Sequence, residues 1–75
     1  MFSFRLPAAG PVSLSICDVV GRFVCRLLNE TMQAGEHSVH WNGRDGAGRL
    51  QPAEVYEAKL TAGAMSARGR VTVLR

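Results

Sequence analysis

The chain has 75 residues, 47% of them hydrophobic and 20% charged, with a net charge of +3. That length holds one domain or part of one and a thin core, because even about 60 residues bury only about 60% of their unfolded surface. A large enzyme with a deep cleft is excluded, the composition is too apolar for disorder, and no run approaches the roughly 20 apolar residues that span a bilayer.

The opening Met1-Phe2-Ser3-Phe4-Arg5-Leu6-Pro7 has no basic region followed by an apolar one, so no signal peptide is expected there. Phe2, Phe4 and Leu6 alternate with Ser3 and Arg5 and predict a first strand, which Pro7-Ala8-Ala9-Gly10-Pro11 interrupts. Val12, Leu14 and Ile16 alternate with Ser13, Ser15 and Cys17, the pattern of a half-buried strand. Asp18-Val19-Val20-Gly21-Arg22 then reads as a hairpin turn. The Asp side chain can bond the backbone ahead of it, and Gly21 suits the left-handed position of a G1 bulge. A three-residue loop sets Phe23 across from Cys17 and Val24 across from Ile16, with Cys25 diagonal to Cys17.

Phe23 to Leu28 also fits a helical spacing through Val20, Phe23, Val24, Leu27 and Leu28. The turn before it and Asn29-Glu30-Thr31 after it leave about two helical turns, which is marginal, so a strand with a bulge is expected. Gln33-Ala34-Gly35 turns the chain, and His37, Val39 and Trp41 alternate into another strand. Asn42 to Arg49 is a dense run of turn formers, and Leu50-Gln51 predicts a short edge strand before Pro52. Val55 to Ala62 and Ala64 to Leu74 complete the series around a turn at Ala62-Gly63. Strands every 8 to 12 residues predict a small antiparallel sandwich or barrel. Its expected core is Leu14, Ile16, Val24, Val39, Trp41, Tyr56 and Leu60.

The chemistry-bearing residues form no strong motif. His37 and His40 are three apart in a predicted strand and face opposite sides, so they do not share a metal. Asp45 is the only acid in the glycine-rich loop, too few for calcium. Cys17 and Cys25 lack metal-site or CxxC spacing; free thiols are expected, with a strained bridge as the alternative. The serines have no base motif beside them, and Glu54 and Glu57 read as solvated carboxylates. Trp41 and Tyr56 are expected in the core rather than on a sugar platform, and Phe23 is the candidate exposed aromatic. The eight arginines, Arg5, Arg22, Arg26, Arg44, Arg49, Arg68, Arg70 and Arg75, are spread along the chain, which predicts a solvated surface rather than a nucleic-acid patch. No catalytic residue, cofactor or metal is expected.

The ordered series Phe2-x-Phe4-x-Leu6-Pro7, Gly10-x-Val12-x-Leu14-x-Ile16-x-Asp18-Val19-x-Gly21-Arg22, Ala34-Gly35-Glu36-His37-x-Val39-x-Trp41-x-Gly43-x-Asp45-x-x-Gly48 and Val55-Tyr56 resembles one bacterial module along its whole length. Leu60-x-Ala62-Gly63 and Val71-x-Val73-Leu74-Arg75 continue the match. The module is the FlgD/Vpr-type immunoglobulin-like domain, which overlaps in sequence with the C-terminal sorting domains of type IX secretion cargo. The resemblance implies one all-β domain over residues 1–75, an immunoglobulin-like sandwich of about seven strands in two sheets. It implies a non-enzymatic accessory or sorting module of a larger exported protein, located outside the cell or at its surface; the alternative is a flagellar hook-cap-like scaffold domain acting by protein contacts, and a carbohydrate-binding module is the third reading. Its partners would be the secretion machinery or domains of the parent protein; in the flagellar version they would be hook components. The recognised tail resembles the last strand here, giving Arg70, Val71, Val73, Leu74 and Arg75 as candidate partner-binding residues, read by strand addition. Where the family carries Gly before the Val-Tyr pair, this chain has Glu54, which a positive φ would strain.

Overall fold

A computed structural model describes residues 2–74. Six strands run β1 (Phe2–Leu6), β2 (Gly10–Cys17), β3 (Phe23–Met32), β4 (Gly35–Val39), β5 (Val55–Ala62) and β6 (Met65–Thr72), with no helix among the described residues. They form two antiparallel sheets: β1 with β4, and a four-stranded sheet in the order β3-β2-β5-β6. No described helix is long and apolar enough to cross a membrane.

The period-two pattern sets the faces. In β2, Val12, Leu14 and Ile16 are buried, and in β5 Ala58, paired with Ile16, and Tyr56 are buried. Leu14, Ile16, Tyr56 and Ala58 form one core with Cys25 and Trp41, and Phe2 and Val39 of the smaller sheet pack onto it. Of the expected core, Leu14, Ile16, Trp41 and Tyr56 are buried, while Val24, Val39 and Leu60 are half-buried around them. Tyr56 meets Trp41 edge to face, with ring centroids 5.0 Å apart at 74°. Such pairs contribute about 0.5–1.5 kcal/mol beyond the area they bury. The polar ends of both rings are satisfied: Tyr56 Oη donates to the Pro52 carbonyl at 2.7 Å, and Trp41 Nε1 donates to the Arg44 carbonyl at 2.9 Å.

Several expectations are corrected. Among the described residues there are six strands rather than seven, because Leu50 makes only an isolated bridge to Arg44 before the chain turns at Pro52. The strand through His37 stops at Val39, so His40 lies outside it and Trp41 is buried from a loop. Phe23 does oppose Cys17, but Ile16 pairs with Cys25 rather than Val24, and Leu14 pairs with Leu28. The register therefore shifts twice, leaving Val24 and Leu27 as the extra residues of β3. This double bulge puts apolar residues three and four apart and so imitates a helical period. β3 also continues through Asn29-Glu30-Thr31 to Met32, because β2 begins at Gly10 and offers a ladder partner at every one of those positions. Pro11 sits where β2 pairs only with β3, so its missing N–H breaks no ladder with β5. Among the described residues positive φ occurs only at glycines, so Glu54 carries no such strain.

Two loops share one design, Asp-x-x-Gly-Arg, at Asp18-Val19-Val20-Gly21-Arg22 and Asp45-Gly46-Ala47-Gly48-Arg49. In each, the Asp N–H donates to the Arg carbonyl at 2.9 Å and the Gly N–H donates to the Asp carbonyl at 3.0 Å. Asp18 Oδ1 accepts the N–H groups of Val20 and Arg22, and Asp45 Oδ1 accepts those of Ala47 and Arg49. The second carboxylate oxygen holds the Arg Nε, at 3.2 Å in the first loop and 3.1 Å in the second. Gly21 and Gly48 supply the positive φ, 89° and 83°, that closes each turn. The Arg49 backbone N–H, with help from Ala47 and the Arg49 guanidinium, holds the Asp45 carboxyl below its ordinary range. A depressed folded value means the Asp45 contribution is complete above the ordinary carboxyl value near pH ~4 and is lost as the pH falls through the folded value. An NMR pH titration is expected to show the Ala47 and Arg49 amides moving together below pH ~4. Amides that stay fixed until global unfolding would contradict this.

Candidate partner-binding edge

β6 is the last strand of the larger sheet and its outer edge has no neighbour among the described residues. All of it is exposed except Val71, which is half-buried. Eight pairs with β5, from Val55↔Thr72 to Ala62↔Met65, run without a register shift. Past the strand end, the Val73 N–H donates to the Glu54 carbonyl at 3.0 Å and continues the pairing. Because hydrogen-bonded and non-bonded pairs alternate in an antiparallel ladder, this bond fixes the phase. Val71, Gly69 and Ala67 turn their backbone groups to β5, whereas Arg70, Arg68 and Ser66 turn theirs to the open edge.

The expected tail residues divide along the same alternation. Val71, opposite Tyr56, and Val73 pack on the core, so they anchor the strand. Arg70 lies on the outer face opposite Glu57, and Leu74 is 85% exposed. Arg75 lies outside the described residues. The five residues therefore do not make one contact surface: two hold the edge in place and two project from it.

Beside this edge runs an apolar groove that alternation alone does not reveal. Its walls are β1, through Phe2 and Phe4, and β6, through Ala67 and Gly69, and its floor is Leu14, Ala58 and Leu60. Its volume is about 280 Å³. The cause is side-chain size. The inward positions of β6 opposite Ala58 and Leu60 are Gly69 and Ala67, too small to close the gap to the smaller sheet. A Cβ added at Gly69 would meet nothing within 4 Å. A smaller hollow between Leu6 and Met65 extends the groove along the same two strands.

The other open edges are less suited to pairing. β3 carries two bulges, a device that blunts an edge, and β1 and β4 have only five residues each. The remaining candidate groups have structural roles. His37 stacks on Phe4 at 5.5 Å and its Nε2 lies 2.7 Å from the Gln33 carbonyl. No three His, Cys, Asp or Glu side chains among the described residues are grouped to hold a metal ion. Trp41 and Tyr56 are committed to the core and present no aromatic platform, while Phe23 is 63% exposed.

Cys17 and Cys25 are both buried and unbridged. Burial pushes the Cys25 thiol up; the Trp41 indole opposes this and the Asp45 carboxylate adds to it. A protonated, enclosed thiol is a poor nucleophile. Ellman's reagent at pH 8 is therefore expected to label neither cysteine in the folded chain and both in denaturant. Rapid labelling of the native chain would show that the core opens locally.

No protein-family model, curated protein or solved structure matches the chain.

Proposed function

We propose that the chain is a non-enzymatic immunoglobulin-like module of the FlgD/Vpr type, carried by an exported bacterial protein as its accessory or sorting domain and recognised through its last strand. The observation that carries this reading is the regular, open edge of β6 beside an unfilled apolar groove. An extended segment of the secretion machinery added along β6 would bond to the backbone of Ser66, Arg68 and Arg70. Its inward side chains would enter the groove over Leu14 and Leu60. Backbone bonds would supply affinity, and the groove would select side chains.

Two features support the immunoglobulin-like type. The strands form two antiparallel sheets around one core. The Tyr56 hydroxyl, at the start of β5, bonds back to the carbonyl four residues upstream, as in the tyrosine corner of such sandwiches. Fused behind a signal-peptide-bearing reporter in a host with type IX machinery, the chain is expected to carry the reporter out of the cell. A reporter that stays in the periplasm, and is unaffected by trimming residues 71–75, overturns the sorting role.

A further inference from the structure

The basic residues are dispersed in sequence, but strand pairing gathers four of them on one surface. Directly paired residues in an antiparallel ladder share a face. The register across the larger sheet therefore sets Arg26, Ser15, Lys59 and Arg68 in one row on the face turned away from the core. The row on one side is Phe23, Cys17, Glu57 and Arg70, and on the other Asn29, Ser13, Thr61 and Ser66. With neighbouring strands about 4.8 Å apart, the Arg26-to-Arg68 row spans about 14 Å. Arg26, Arg68 and Arg70 are exposed and Lys59 is half-buried.

Glu57 is the one acid on these rows and lies 3.5 Å from Arg68. Arg26, Lys59, Arg68 and Arg70 with Glu57 give these rows a formal charge of +3, equal to the net charge of the chain. Lys59 and Arg68 are directly opposed like charges, an arrangement that destabilises a sheet. Among the described residues, Arg26, Lys59 and Arg70 have no ion-pair partner to offset it. Surface charge held at a cost to the fold suits a partner that neutralises it.

We infer that this face binds an acidic polysaccharide laid across the strands. Guanidinium forks match carboxylates with two parallel bonds, and the Ser13, Ser15, Thr61 and Ser66 hydroxyls both donate and accept toward sugar hydroxyls. A single-stranded nucleic acid would call for aromatic platforms for successive bases, and Phe23 is the lone aromatic on these rows. A lipid surface would call for apolar side chains to insert, and the two rows that hold Ser13 and Ser15 have none. The inference stands apart from strand addition at β6, since it uses side chains of the sheet face and not the backbone of its edge.

The test is an NMR titration of the full chain with polygalacturonate at low salt, with neutral dextran, oligothymidylate and phosphatidylglycerol vesicles in parallel. Two double variants remove equal charge: Lys59→Gln with Arg68→Gln on the face, and Arg5→Gln with Arg44→Gln away from it. Polygalacturonate is expected to shift the amides of the Arg26 and Glu57 rows. The face variant should lose affinity by about tenfold and the control should stay within about twofold. Dextran should leave the spectrum unchanged, and oligothymidylate and vesicles should bind more weakly. If the face variant fails to fold by circular dichroism, Arg26→Gln with Arg70→Gln replaces it. No binding of polygalacturonate, equal losses in the face and control variants, or tighter binding of oligothymidylate or vesicles would each overturn the inference.

Discussion

Trp41→Ala is expected to bring the domain close to unfolding at room temperature. The indole is 8% exposed, meets Tyr56 edge to face, and ties the irregular loop to the core through its bond to the Arg44 carbonyl. Truncating a buried Trp to Ala costs about 3–5 kcal/mol. At about 0.05–0.15 kcal/mol per residue, a chain of this length holds about 4–11 kcal/mol in total. With a shift of about 4–8 °C per kcal/mol for a domain of this size, the midpoint should fall by about 15–30 °C or more. Trp41→Phe keeps a ring against Tyr56 and gives up the bond to Arg44, so a loss of about 1–3 kcal/mol is expected. Thermal melts followed by far-UV circular dichroism measure both. A Trp41→Ala melt within a few degrees of the parent would mean that the loop and core do not depend on this residue.

Arg70→Pro is expected to abolish recognition while the fold persists. The Arg70 N–H faces the open edge, so proline there removes no bond to β5, and edge strands accept proline. An incoming strand loses a backbone partner and meets the pyrrolidine ring. Arg70→Gln keeps the N–H and removes only the charge. In the secretion assay, Arg70→Pro should leave the reporter in the periplasm and Arg70→Gln should still export it, with both variants melting within about 1–2 kcal/mol of the parent. Equal export by the two would remove the β6 backbone from the recognition step. Equal loss would assign recognition to the guanidinium.

The strands legible in the sequence are those with period-two burial: β1 and β5 occupy the predicted positions, and β2 does so from Val12 onward but starts earlier, at Gly10, because Leu6 in β1, Val12, Leu14 and Ile16 in β2, and Tyr56 and Ala58 in β5 are the buried positions of alternating strands. The turn at Asp18 was legible for a local reason, since its carboxylate and Gly21 close it without help from the rest of the chain. What escaped depends on partners distant in sequence. The bulges at Val24 and Leu27 exist only relative to β2, and the extension to Met32 only because β2 starts at Gly10. The seventh strand failed because Leu50 has one bridging partner and no ladder. The groove comes from Ala67 and Gly69, whose small size acquires meaning only when Phe2 and Phe4 stand across the gap. The basic face has the same origin: Arg26, Lys59 and Arg68 are more than forty residues apart from end to end and become neighbours through three strand pairings, β3 with β2, β2 with β5 and β5 with β6.

Amide hydrogen exchange of the free chain distinguishes an ordered β6 with an open edge from a covered or a loose one. The amides of Ala67, Gly69 and Val71, bonded to β5, should exchange slowly, and those of Ser66, Arg68 and Arg70 should exchange quickly, an alternation residue by residue. Uniform protection along Met65–Thr72 would mean that the edge is already covered, and uniform fast exchange would mean that β6 is not held on the sheet; either result would contradict the account.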